Sequence, residues 1–205
     1  MPKIIALWQQ VFGDAPADIA RWLECFVGEG GQYLAQDEKG NVTAILSAVP
    51  CFAGALRGVY LFALATNPAA RGQGVMTALM QYAEECSVQG GAAFSILIPA
   101  GRSLFDYYAV RGYSQQVGLR RFFWKMQEPA RPNAPQLPSV TPLTGEALAA
   151  LRKQYLPEEV ITFSMPAIRE AAVDILAENG RLLQTGEGYM VAFAGRKTPL
   201  VPWCF

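Results

Sequence analysis

Residues 61–85 read LFALATNPAARGQGVMTALMQYAEE. Leu61 to Thr66 is a run of small and apolar residues that Asn67-Pro68 stops. Val75, Leu79 and Ala83 then fall on one stripe at helical spacing, with Met76 and Met80 beside it and Gln81, Glu84 and Glu85 facing away. That pattern is a buried strand, a turn and an amphipathic helix. Between strand and helix stands Arg71-Gly72-Gln73-Gly74. The glycines let successive N–H groups face one concavity, and the helix from Val75 adds its unpaired first-turn amides and the positive end of its dipole. Arg71 adds a full charge. Such a nest suits a pyrophosphate, although a plain tight turn would use the same glycines. The spacing is neither a dinucleotide GxGxxG, which needs a third glycine, nor a P-loop, which needs Lys-Ser/Thr after Gly74.

Outward from this stretch, the strand GVYLFALAT (58–66) is apolar at nearly every position, as a central strand covered on both faces would be. Upstream, QYLAQDEKGNVTAILSAVPCF predicts a hairpin whose turn is Asp37-Glu38-Lys39-Gly40-Asn41. Lys3 to Phe12 carries Ile4, Leu7, Trp8 and Val11 at helical spacing, and a second helix is predicted from Pro16 to Val27 with Asp14 as its cap. Downstream, Gly90-Gly91 ends the long helix, AAFSILI is another buried strand, and RSLFDYYAV is a short helix ended by Arg111-Gly112. YSQQVGLRRFFWKM supplies one or two final strands. Residues 1–128 thus predict a mixed α/β domain. Pro129, Pro132, Pro135 and Pro138 mark 129–139 as a linker. Residues 140–205 offer helices over Glu146–Tyr155 and Pro166–Asn179 and the hairpin RLLQTGEGYMVAF. They are too few for a core of their own and are expected to pack on the first domain or on a second chain.

The chain has 205 residues, 52% hydrophobic and 17% charged, with Lys+Arg and Asp+Glu at 17 each. A net charge of zero offers no field for nucleic acid or an anionic membrane. The absence of histidine excludes Ser-His-Asp and Cys-His catalysis and every His-containing zinc site. Cys25, Cys51, Cys86 and Cys204 lack metal-site and CxxC spacing, so reduced, mostly buried thiols in a cytoplasmic protein are expected and no metal is. MPKIIALWQQ is not a signal peptide, and the apolar region Val42 to Ala70 is broken by Pro50, Gly54, Arg57 and Gly58, which makes it strands rather than a membrane span.

The order Leu64-Ala65-Thr66-Asn67-Pro68-x-x-Arg71-Gly72-Gln73-Gly74-Val75, followed by the helix, resembles the acetyl-CoA-binding motif of the GNAT superfamily of N-acyltransferases. That motif is R/Q-x-x-G-x-G/A between the family's fourth strand and third helix, and Met76 stands at its last Gly/Ala. LFDYYAVRGYSQQ resembles the family's helix-Tyr-x-x-x-Gly-Phe/Tyr signature, with Tyr108, Gly112 and Tyr113 in register. LWQQVFGD…IARWLECF resembles the opening helices of many bacterial members; the usual first strand has no counterpart. Arg-x-x-Gly-Val-Met together with the Gly-Tyr ending is closest to the Eis-like (enhanced intracellular survival) subgroup. In that subgroup a second, degenerate GNAT-like domain and a sterol-carrier-like domain follow, and residues 140–205 would begin the second unit.

The resemblance implies a largely antiparallel central sheet flanked by helices, and acetyl transfer from acetyl-CoA to a primary amine by direct attack. It implies that Leu64, Ala65 and Thr66 bond pantetheine through the backbone, one N–H also polarising the thioester carbonyl. Arg71, Gly72, Gln73, Gly74, Val75, Met76 and Thr77 would hold the pyrophosphate, and Ser103 would add a coenzyme contact. Tyr108 would be the general acid for the leaving thiolate; residue type alone does not separate it from Tyr107, and the spacing to Gly112 favours Tyr108. The general base is open among Glu24, Glu29, Asp106 and water; the subgroup's C-terminal carboxylate would be that of Phe205, but without the third domain the role is not carried over. The acceptor is open among aminoglycosides, polyamines and protein amines, and so is homo-oligomerisation. Two other readings stand beside this one: a catalytically silent acyl-CoA-binding sensor or interaction module, and a generic α/β domain in which RGQG is only a turn.

Overall fold

The computed structural model describes residues 2–28, 30–116, 140–155, 160–177, 179–185 and 188–193. The chain opens with helix α1 (Pro2–Phe12) and α2 (Pro16–Trp22), which runs on as a π-helical turn, Leu23–Val27. Asp14 does not cap α2. Ala15 occupies the N-cap without a side-chain bond, and the Asp14 carboxylate accepts the Trp8 indole N–H at 2.8 Å. Pro16 explains the exchange: a first helical residue with no N–H and a preset φ needs little capping, whereas a buried indole N–H needs an acceptor.

Strands β1 (Gln32–Gln36), β2 (Val42–Ala53) and β3 (Leu56–Thr66) form an antiparallel meander. The predicted turn joins the first two: Asp37 Oδ1 accepts the N–H groups of Lys39 and Asn41 at 2.9 and 2.8 Å, and Gly40 takes φ 74°. Helix α3 (Val75–Gln89) then crosses to β4 (Phe94–Leu97), parallel to β3, and α4 (Ser103–Ala109) follows. The sheet order is β1-β2-β3-β4. Its two faces carry separate cores. On one, Ile4, Leu7, Trp8, Ile19, Leu23 and Phe26 cover Ile45 and Val49. On the other, Met76, Leu79, Met80, Ala83 and Tyr108 cover Ala44, Leu46, Val59 and Leu61. Residues 113–116 lie in no strand, and the remainder of the predicted YSQQVGLRRFFWKM strands, like the proline-rich linker, falls outside the described residues.

The second sheet has the order β5-β7-β8, from β5 (Val140–Pro142), β7 (Gly180–Thr185) and β8 (Gly188–Phe193), with α5 (Gly145–Tyr155) and α6 (Met165–Ala177) beside it. Leu143, Leu148, Ile168, Ile175 and Leu182 form a core of its own, against the expectation that these residues are too few for one. The expected packing on the first sheet is present. Strand β6 (Ile161–Phe163) pairs antiparallel with β2, Phe163 opposite Cys51, and continues the edge that β1 leaves free. Ala167 of α6 is fully buried in the first core, and the Phe163 ring lies tilted against Phe26 and edge-on to Tyr60. Arg21 forms ion pairs with Glu170 and with Asp174, the latter at 2.5 Å. Of the described cysteines only Cys51 is buried, and burial pushes its thiol up to about 12; Cys25 and Cys86 are half-buried, against the expectation of mostly buried thiols. Both lie on helices whose apolar stripe is carried by other positions. Among the described residues no helix is long and apolar enough to cross a membrane, and no cluster of Cys, Asp and Glu could hold a metal.

Candidate functional site

β3 and β4 pair only from Gly58 opposite Phe94 to Leu61 opposite Leu97. β3 then continues to Thr66 without that partner, while β4 ends. Against β2, the register of β3 slips between Ile45 opposite Ala65 and Ser47 opposite Phe62. One extra residue is accommodated there, and Ala63 takes φ 52°, a left-handed conformation rare for a residue with a side chain. Consequently Phe62 and Ala63 both face the first core, and Leu64 returns to the second. A bulge bends its strand, so the pair opens where β3 leaves β4.

The open end of β3 leads into the loop before α3. Asn67 Oδ1 accepts the Ala69 N–H at 3.1 Å and starts a 3₁₀ turn, Pro68–Ala70. Gly72 and Gly74 take φ 74° and 77°, and a Cβ on either would meet nothing within 4 Å. The loop therefore faces open space. Gly74 caps α3 without any side-chain bond, so the first-turn amides have no capping side chain. The Gln73 amide donates to the Ala69 carbonyl at 3.1 Å, and Arg71 Nε reaches the Thr66 carbonyl at 3.4 Å with the side chain exposed. Met76 turns its side chain into the core between α3 and the sheet, so its bulk does not fill the loop. A cleft of about 490 Å³ lies on the β1 flank of α3, lined by Leu34, Ala35, Gln73, Gly74, Val75 and Tyr82. The loop is thus reached from that flank as well as from the diverging strands.

On the β4 flank α4 meets the first turn of α3. Arg111 donates to Thr77 Oγ1 from Nε at 3.0 Å and from Nη2 at 2.8 Å, and from Nη1 to the Tyr107 carbonyl at 2.5 Å. Its guanidinium lies 3.6 Å from the centroid of the Tyr107 ring. Tyr108 is 9% exposed, edge-on to Tyr107 and Tyr113, and its hydroxyl has no hydrogen-bond partner among the described residues. Burial pushes the Tyr108 phenol above the usual tyrosine range, Tyr107 adds to this, and Arg111 opposes it. Tyr113 is bonded to Ser95 of β4 at 2.8 Å and to Glu84 of α3, and burial together with the Glu84 carboxylate holds its phenol far up. That residue fastens α3 to β4.

The fold thus brings Leu64, Ala65, Thr66, the Arg71–Thr77 segment and Tyr108 to one end of the sheet. Ser103 is exposed at the start of α4 and bonds nothing among the described residues. Glu24 and Asp106 are exposed, and Glu29 and Phe205 lie outside the described residues. Arg111 escaped the sequence reading, which took it only as a helix end. Its signal was its place four residues after Tyr107, the spacing that lets a helical side chain fold back over a ring.

Residues 1–116 match the family model of the acetyltransferase (GNAT) domain. No curated protein sequence matches the chain. Among solved structures the chain is similar to Eis1 from Mycobacterium abscessus, at 12% identity and a TM-score of 0.64 over 91% of this chain and 49% of that one. It spans about half the length of Eis1, and the likeness, one of fold, extends beyond residue 116. It is also similar to the aminoglycoside 6′-N-acetyltransferase AAC(6′)-IG from Acinetobacter haemolyticus, at 18% identity and a TM-score of 0.47 over 62% of this chain and 92% of that one. A glucosamine-6-phosphate N-acetyltransferase from Arabidopsis thaliana gives 15% identity and a TM-score of 0.47, over 59% and 88%.

Proposed function

Because the chain belongs to the GNAT family of acetyltransferases, its class of activity is acetyl transfer, and we propose that it moves the acetyl group of acetyl-CoA onto a primary amine in a ternary complex. The observation that carries this reading is the opening of β3 from β4 beside an uncapped helix start. An extended pantetheine fits along the side of Leu64 to Thr66 that β4 leaves unpaired, as an additional strand. The diphosphate fits the open side of Gly72 and Gly74, where first-turn amides converge.

In the reaction the amine nitrogen attacks the thioester carbonyl carbon. The C–N bond forms, and the carbonyl oxygen takes up charge beside a backbone N–H of β3 near the bulge. The C–S bond then breaks and the thiolate takes the Tyr108 proton. The nitrogen releases its extra proton to solvent, from which Tyr108 is reprotonated. The raised Tyr108 pKa keeps this phenol in its acid form at neutral pH. A primary amine with a Lys-like pKa of ~10.4 arrives mostly protonated. The base that deprotonates it stays open among Glu24, Asp106 and water; both carboxylates are exposed.

We place the chain nearest the Eis-like subgroup, with residues 140–205 as part of a second GNAT-like unit; the likeness to Eis1 over 91% of the chain supports this. The half-buried free thiols of Cys25 and Cys86 suit a reducing, cytoplasmic compartment. The deciding experiment combines thermal unfolding with and without acetyl-CoA and a thiol-release assay against aminoglycosides, polyamines and lysine peptides. A raised Tm together with thiol release for one amine class is the expected result. A raised Tm with no release from any amine makes the chain an acyl-CoA-binding module, and an unchanged Tm overturns the coenzyme site.

A further inference from the structure

Arg111 carries a charge that its surroundings leave unanswered. Its partners are a hydroxyl, a carbonyl and an aromatic ring, all neutral. No carboxylate pairs with it among the described residues. The guanidinium instead lies against Thr77, in the first turn of α3, where the helix dipole is itself positive. A cation at that end of a helix is unfavourable, and an anion between the two removes the conflict. The bonding pattern points the same way. Thr77 Oγ1 accepts twice from Arg111, which leaves its own O–H to donate. Three of the five guanidinium N–H groups are used, and two remain. Arg111 also joins this turn to α4 by hydrogen bonds, beside the packing of Met76 and Tyr108 in one core. It holds the Tyr107 carbonyl and covers the Tyr107 ring, whose neighbour in sequence and in edge-on contact is Tyr108.

We propose that Arg111 is a positioning residue that couples occupancy of the diphosphate seat to the placement of Tyr108. This rests on the reading of the α3 loop as that seat and of Tyr108 as the acid. A bound phosphate neutralises the guanidinium, holds it on Thr77, and so draws the Tyr107–Tyr108 turn of α4 against α3. Tyr113 keeps its bonds to Ser95 and Glu84 without Arg111, so α4 stays attached when Arg111 is replaced.

The test uses the full chain with Arg111→Met, Arg111→Lys and Thr77→Val, titrated with CoA and assayed with acetyl-CoA and with acetyl-pantetheine, which has no diphosphate. Arg111→Met should weaken CoA binding about tenfold or more, the loss of charge-assisted bonds. Arg111→Lys should recover most of that affinity and little of the turnover, because a point charge cannot span Thr77 and Tyr107 together. The loss on Arg111→Met should shrink to near unity when acetyl-pantetheine is the donor. Thr77→Val, which keeps the side-chain shape, should weaken CoA binding non-additively with Arg111→Met. Equal losses on both donors, or full CoA affinity in Arg111→Met and Thr77→Val, would overturn the proposal. Gly74→Asp separates the two readings: if it abolishes CoA binding while Arg111→Met does not, the coupling alone is wrong, and if neither weakens binding, the seat itself is misplaced.

Discussion

Arg21 of α2 and Asp174 of α6 meet at 2.5 Å across 153 residues of chain. Glu170, one turn earlier on α6, bonds the same guanidinium, and Asp18 lies 3.4 Å from it. One arginine thus holds the second sheet's helix against the first domain, between carboxylates that are only 9% and 12% exposed.

Removing that arginine leaves two buried carboxylates without a counter-charge. Arg21→Ala should destabilise the chain by about 2–3 kcal/mol, below the full 3–5 kcal/mol for breaking a buried pair because Arg21 itself is 30% exposed. Equilibrium urea unfolding measures this. Adding Glu170→Gln and Asp174→Asn to Arg21→Ala should restore part of the loss; a further fall would show that the cluster acts by packing and not by charge.

Asp174 gives a dependence on pH. Burial raises its carboxyl above 3.8 although Arg21 opposes the shift. A raised folded-state value means that the native state holds this proton more tightly than the unfolded chain does. The associated stability is present below about pH 3.8 and is lost as the pH rises through the raised value. Asp174→Asn should therefore look better against the parent protein at pH 7 than at pH 4. Paired urea titrations at the two pH values check the sign, and an opposite trend would mean that Asp174 is stabilised as the anion.

Gly74→Asp addresses the helix start. Acetyl-CoA at ~100 times its dissociation constant should stabilise the fold by about 2.7 kcal/mol. The variant should lose this entirely, since it sets a negative charge where the phosphates are proposed to sit. Gly74 has φ 77°, so any side chain there also strains the backbone, by roughly 1–2 kcal/mol. Gly74→Ala carries the same strain without the charge and should keep most of the coenzyme effect in thermal unfolding.

The two adjacent tyrosines separate chemistry from packing. Tyr108→Phe removes a hydroxyl that bonds nothing among the described residues, so fold and CoA affinity should change little. Turnover should fall by roughly 10²–10⁴-fold, toward the lower end because a CoA thiolate leaves tolerably unaided. Tyr107→Phe keeps the ring under Arg111 and should have a small effect. Steady-state kinetics with whichever amine class gives thiol release decides between them, and the reverse ranking would move the acid to Tyr107.

Local pattern was enough for much of this molecule. The strand over 58–66 and the helix from Val75 were legible because their apolar periods are long and their ends are marked by Asn67-Pro68 and Gly90-Gly91; the structure starts the strand two residues earlier, at Leu56. The Asp37–Asn41 hairpin was legible because turn chemistry is local. So was the glycine turn from Arg71 to Gly74, which is built from consecutive residues. Contacts between distant segments were not legible. Ile161–Phe163 is too short to show a period, and it became a strand only because β1 begins no earlier than Gln32, opposite Ser47, and leaves the rest of β2 with an open edge. Asp14 has an N-cap's composition, but a buried indole six residues earlier claimed its carboxylate. Arg111 reads as the end of a helix until the fold sets it against Thr77, 34 residues away. The amino-acid order alone determined the longer elements and the local turns between them, because propensity and period act over a few residues. The tertiary structure alone decided which charges and hydroxyls meet, because those energies depend on distances and burial that no local stretch of chain contains.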